Sequence, residues 1–148
     1  MKKTLKGIGI TLTVLCLSCL PKVASAARNA GPAAHTDSNP LIGEMLILDK
    51  TFREVVSAVA LGEGGRVHKA LESMHGTMEK THEGVNSGTV TLPKNPRNVE
   101  EFVRLDSEFH ANLERLDSAA LRDAPAKMLL LTKKLLDSCV GCHKNFRK

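Results

Sequence analysis

The sequence predicts an all-α chain, an antiparallel bundle of four helices, on three observations. Apolar residues recur at alternating three- and four-residue steps through successive segments. Glycine- and proline-containing stretches separate those segments. No run alternates apolar and polar residues in the way a half-buried strand would.

The first helix begins after Ser38-Asn39-Pro40, a capping residue followed by a proline suited to a first helical position. Leu41, Met45, Leu48, Phe52, Val55 and Val59 then form one apolar stripe, and Gly62, Gly64 and Gly65 end it. A second helix is expected from about Arg66 to Glu83, stopped by Gly84-Val85-Asn86-Ser87-Gly88. Its apolar content is thinner: Val67, Ala70, Leu71, Met74 and Met78. Residues 85–97, with Pro93 and Pro96, make a connection long enough to cross the end of a bundle.

Asn98-Val99-Glu100-Glu101 resembles a capping box and opens the third helix. Its stripe is Phe102, Leu105, Phe109, Leu113, Leu116 and Ala120, with His110 beside it as a surface or boundary histidine. Asp123-Ala124-Pro125 starts the fourth helix, where Met128, Leu131, Leu135 and Cys139 follow at helical spacing. Four helices with short joins, apart from one longer connection, fit antiparallel neighbours.

Residues 1–26 read as a secretory leader: Lys2, Lys3 and Lys6, then an apolar core from Ile8 to Leu20, then Ala24-Ser25-Ala26 as a small-x-small cleavage site. That core is too short for a comfortable membrane span. Cys16 and Cys19 lie inside it; a lipid anchor on Cys19 is the alternative reading, disfavoured because Cys16 replaces the usual aliphatic residue. Residues 27–38 read as a flexible tail, and 39–148 as the helical domain.

The leader holds four lysines and no acid, which leaves 17 of the 21 basic residues against all 16 acidic ones. The basic balance therefore belongs to the leader, and nucleic-acid binding loses its main support. Cys139 and Cys142 are the two cysteines that remain, so an oxidising compartment implies no structural disulfide.

Those cysteines belong to Cys139-Val140-Gly141-Cys142-His143, the Cys-x-x-Cys-His order used for covalent attachment of c-type haem. Two thiols add across the two vinyl groups of one haem, so they must share a face within one turn. On a helix Cys139 and Cys142 are neighbours, as are Cys139 and His143. His143 would then be the proximal iron ligand. Bare Cys-x-x-Cys also serves zinc, redox and disulfide chemistry, but zinc would want a second ligand pair.

On the second helix, His68, His75 and His82 fall seven apart on one side. Glu72-x-x-His75 and Glu79-x-x-His82 have the spacing of di-iron carboxylate bundles, which draw such pairs from different helices. Residues seven apart stand about 10 Å apart along the axis, so one metal cannot collect all three histidines. The stripe reads as a solvated or partner-facing surface, with a haem-facing or adventitious metal role as the alternative.

A leader, four helices and a single Cys-x-x-Cys-His near the C-terminus, continuing Lys144-Asn145-Phe146-Arg147, resemble the class II cytochromes c, that is, cytochrome c prime and its low-spin relatives. The resemblance covers residues 39–148 in architecture and is specific in 139–147. It implies one covalent haem c, a periplasmic location, a homodimer through the first two helices, and Arg147 close to the haem. It also implies that a residue of the first helix lies opposite His143, between Met45 and Leu48.

If Met45 is that residue, His/Met ligation makes an electron carrier that meets redox partner proteins. If an apolar residue stands there, the iron is five-coordinate and takes up small gases such as nitric oxide or carbon monoxide, with Leu48, Phe52 and Leu41 lining the pocket. Met74, Met78 and His75 are lesser candidates for the distal position. Methionine on a core face is most often packing. A third class is a haem-free metal-binding bundle using the Glu and His residues of the second helix. No nucleophile–base pair stands out, so no enzyme activity is expected.

Overall fold

The computed structural model describes residues 39–148; the expected leader and tail lie outside them. The described residues are all-helical: α1 (Pro40–Leu61), α2 (Gly64–Leu71), a single 3-10 turn (Glu72–Met74), α3 (Thr77–Asn86), α4 (Val99–Leu121) and α5 (Pro125–Phe146). No strand occurs among them. None of these helices is long and apolar enough to cross a membrane.

Local chemistry accounts for the ends of α1. Asn39 accepts a hydrogen bond from the Ile42 N–H at 3.3 Å, and Pro40 follows in the first turn. Gly62 closes the helix in the left-handed conformation, φ 73°, its N–H turned back to the carbonyls of Ala58 and Val59. Gly64 and Gly65 do not belong to that stop. They open α2, where Gly64 packs so closely on the end of α4 that a Cβ would stand 2.5 Å from the Ala120 carbonyl oxygen.

The second predicted helix is corrected in one respect. It is two helices, broken where the 3-10 turn ends, His75 becomes extended and Gly76 takes φ 75°. A side chain at Gly76 would be strained there, and the reversal redirects α3 away from the axis of α2. The three histidines spaced by seven therefore do not share one helical face. The capping box at Asn98 is corrected too: Asn98 precedes α4 but makes no side-chain cap.

Two apolar clusters hold the helices together. The larger draws Val55 and Ala58 from α1, Val67 and Leu71 from α2, Phe109 to Ala120 from α4, and Met128, Leu131 and Leu135 from α5. The smaller joins Leu41, Val85, Phe102 and Phe146 with Val90 and Leu92 of the connection after α3. Each buried leucine or phenylalanine contributes about 1.5–3 kcal/mol. Along α1, Glu44 falls between the two clusters, and along α4 so does Asp106. Both are buried, as is Thr81 on α3.

The connection from α3 to α4 packs rather than merely crossing a bundle end. It covers the end of α5: the Lys94 N–H donates to the Phe146 carbonyl at 3.1 Å, Lys94 Nζ to that of Lys144 at 2.7 Å, and Asn95 Nδ2 to that of Asn145 at 2.8 Å. Carbonyls that a helix C-terminus leaves unpaired are thus satisfied. The Phe146 ring meets Phe102 edge-on at 5.5 Å.

Exposed large apolar side chains stand on α1 (Ile42, Leu46, Val56, Leu61) and α5 (Leu129, Leu130, Leu136, Val140), with Leu121 ending α4. Among the described residues, α2 and α3 carry none.

Gly64→Ala is expected to cost about 1–3 kcal/mol by overpacking against the α4 backbone. Gly65→Ala, which meets nothing within 4 Å, should be neutral or slightly stabilising. Paired urea melts measure both, and equal effects would contradict the close α2–α4 approach.

Candidate functional site

The last turns of α5 place Cys139, Cys142 and His143 on one narrow cleft together with Met45 and Leu48 of α1 and Leu105, Asp106 and Phe109 of α4. Thus two thiols, an imidazole, a thioether and an apolar wall share one opening; the spacing on α5 accounts for the first three, and the facing of α1 is what the resemblance implied. Both cysteines are free and half-buried. Burial raises the Cys139 thiol above its ordinary pKa. Burial, with the nearby Asp106 carboxylate, pushes Cys142 up to about 11. Both are held as neutral thiols at neutral pH.

His143 is partly buried, and its pKa is lowered, first by desolvation and then by the positive charge of Arg147. The imidazole is kept neutral, the form in which nitrogen binds a metal. Arg147 is exposed and ends α5, its N–H donating to the His143 carbonyl at 3.0 Å. It therefore sits next to the histidine it was expected to influence.

Phe52 and Leu41 do not line the cleft: Phe52 packs on the larger cluster and Leu41 is buried in the smaller one. Met74, Met78 and His75 lie instead along a second cleft between α2–α3 and α4. The donor set at the first cleft suits a haem: two thiols one turn apart, a neutral imidazole beside them and a largely apolar facing wall. Its volume, about 40 Å3, is far below the roughly 300–1,000 Å3 of pockets that enclose a ligand. A macrocycle fits only if α1 stands further from α4 and α5 than it does here.

Deeper between α1, α3 and α4 lies a polar layer that the apolar stripes do not reveal. Glu44 Oε1 and His110 Nε2 stand 2.7 Å apart, and Thr77 Oγ1 donates to the same oxygen at 3.3 Å. His82 Nε2 and Asp106 Oδ2 are 2.9 Å apart. Burial alone would raise the Glu44 carboxyl, but His110, Thr81 and Thr77 together hold it below the ordinary value. His110 is the counterpart: desolvation opposes its charge, but Glu44, Asp106 and Glu79 raise its pKa overall. Asp106 is raised to about 6, by burial first and by the Glu44 charge second.

His82, expected on a surface stripe, is instead a largely buried partner of Asp106, and His110 is a boundary histidine, as expected, that pairs inward with Glu44. Within the expected stripe, His68, paired with Asp117 at 2.7 Å, and His75 keep more exposure than His82. The sequence signal for Glu44 and Asp106 was an acid at core register. Glu44 is three residues after Leu41 and four before Leu48, and Asp106 is four after Phe102 and three before Phe109.

Comparison with family models, curated proteins and solved structures finds no match to this chain. The site is accordingly read from its own residues.

Asp106 supplies a pH test. Its folded pKa of about 6 stands above the ordinary 3.8. The folded state thus binds more protons between those values, and stability falls as pH rises from about 4 to 6. Asp106→Asn keeps an acceptor for His82 and removes the charge. In chelator-treated protein it should be about 1–3 kcal/mol more stable than the parent above pH 7. The difference should close below pH 4. Denaturant melts across this range read the slope, and a variant less stable at every pH would contradict it.

Proposed function

We propose that the chain is a monohaem c-type cytochrome of the class II kind, an antiparallel four-helix bundle exported to the periplasm and working in electron transfer. Cys139 and Cys142 are its thioether positions, His143 the proximal ligand and Met45 the distal one. The observation that carries the reading is the convergence of these four side chains from α1 and α5 on one cleft. When bound, the haem supplies a one-electron iron couple whose potential depends on axial ligands, hydrogen bonding and burial.

The chain's own residues have definable tasks in this reading. Half-burial of Cys139 and Cys142 would shield bonds made through their sulfurs from bulk water. Desolvation and Arg147 keep the His143 imidazole neutral, and Arg147 adds a fixed positive charge that disfavours loss of an electron from a group nearby. Leu48, Leu105 and Phe109 provide apolar contact and exclude water from the distal side. Lys94, Asn95 and Phe146 hold the motif's turn in place.

A second reading keeps its footing because Leu48 lines the same cleft as Met45. With Leu48 rather than Met45 opposite His143, the site would be five-coordinate and would bind nitric oxide or carbon monoxide.

Optical spectra of the matured protein separate the two. His/Met ligation predicts sharp, split ferrous bands that carbon monoxide leaves unmoved. Met45→Leu should then become high-spin and bind carbon monoxide. A parent protein that already binds it readily favours the gas-binding reading. A low-spin spectrum unchanged by Met45→Leu removes Met45 as ligand.

A further inference from the structure

The structure assigns a first-row divalent cation of the zinc type to the buried group formed by Glu44 of α1 with Asp106 and His110 of α4. One ligand atom from each of the three lies within 4.8 Å of the others. Tetrahedral ligands held at about 2.1 Å from one cation stand about 3.4 Å apart, so side-chain rotations would open the 2.7 Å Glu44–His110 pair and close any wider one. The site differs in its ligands from the cleft of Cys139, Cys142 and His143, although Asp106 borders both.

Two atoms outside these pairings point to a ligand. Glu44 is 1% exposed, yet its Oε2 has no hydrogen-bond partner. Thr81 is 0% exposed and its Oγ1 is likewise unpartnered, though it lies near enough to help hold Glu44 ionised. The two stand near each other without reaching hydrogen-bond geometry, and a buried carboxylate oxygen and hydroxyl left so are unfavourable. A cation on Glu44, carrying a water within reach of Thr81, would satisfy both.

Donor chemistry selects the class. Two carboxylate oxygens and one imidazole nitrogen suit zinc and its first-row neighbours, whereas calcium and magnesium take oxygen alone. Three protein ligands leave one position for water. The outer contacts are also present: His82 on Asp106 and Thr77 on Glu44 orient the two carboxylates. Two ionised carboxylates and a neutral imidazole would balance the charge of a divalent ion in a site that otherwise confines two acids.

An access path exists as well. The break at Gly76 opens a cleft of about 300 Å3 between α2–α3 and α4, with Glu72, His75 and Glu79 along it and His110 reaching its wall. Those exposed groups form a mildly acidic, imidazole-bearing approach to the buried ligands. On binding, the proton shared by His110 Nε2 and Glu44 Oε1 is displaced and leaves to solvent. The proposal does not rest on haem attachment.

The test is a zinc titration of the full-length matured protein against a chromogenic chelator, with zinc-edge X-ray absorption of the wild-type complex. Expected are one tightly bound equivalent, a shell of nitrogen and oxygen at about 2.0–2.2 Å without sulfur, and roughly 100-fold weaker binding in both Glu44→Gln and His110→Gln. His75→Gln, at the cleft, should stay within about threefold of wild type. No stoichiometric binding by wild type would overturn the assignment, as would sulfur at about 2.3 Å, which places zinc on Cys139 and Cys142. Affinity unmoved by Glu44→Gln, or lost in His75→Gln, would overturn it too. If a buried variant fails to fold, His75→Gln at the exposed cleft still separates the two sites: unchanged affinity with a nitrogen and oxygen shell supports the buried one, and lost affinity overturns it.

Discussion

The end of α5 depends on being held from outside. α5 ends at Phe146, three residues past His143, and its last carbonyls have no partners within the helix. Lys94 and Asn95 supply those partners from the connection after α3, and Phe146 is locked against Phe102 in the smaller apolar cluster. That turn follows directly on the two thiols and the imidazole that face Met45 and Leu48 across one cleft. The long connection and the C-terminal motif are thus one mechanical unit, fifty residues apart in the chain.

Between the two apolar clusters the protein buries charge. Pairing Glu44 with His110 offsets much of the desolvation cost, but Asp106 is left in a position where ionisation is disfavoured. Buried ion pairs are seldom a net gain over apolar packing. A polar layer of this kind, with two unsatisfied oxygens and an open approach, is therefore better explained by a ligand than by stability. Its neighbour is the cleft lined by Cys139, Cys142 and His143, with which it shares Asp106, so charge placed on the layer would be felt at Cys142 and beyond.

Much of the architecture was legible in the chain. The stripes of α1, α4 and α5 correspond to buried or half-buried faces, and Asn39-Pro40 and Pro125 start helices where their chemistry requires. The second helix was not, because apolar spacing runs through the break and only Gly76 marks it. A glycine inside a helical pattern is ambiguous until its φ is known. That Cys139, Cys142 and His143 share one opening was legible because they lie in one contiguous stretch of one helix. The pairing of Glu44, Asp106 and His110 was not, since it depends on how α1 and α4 align, and a periodic pattern carries no such register. Phe52 shows the same limit: its stripe was right, and its cleft was not.

The most direct test of the central claim is whether haem is covalently bound. Protein matured with haem in an oxidising compartment would be unfolded in acid and its intact mass and haem absorbance read on one chromatographic peak, followed by peptide mapping. The account predicts one haem per chain, retained on denaturation and carried by the peptide containing Cys139 and Cys142. A chain of bare polypeptide mass, with both of those thiols open to alkylation, would contradict it.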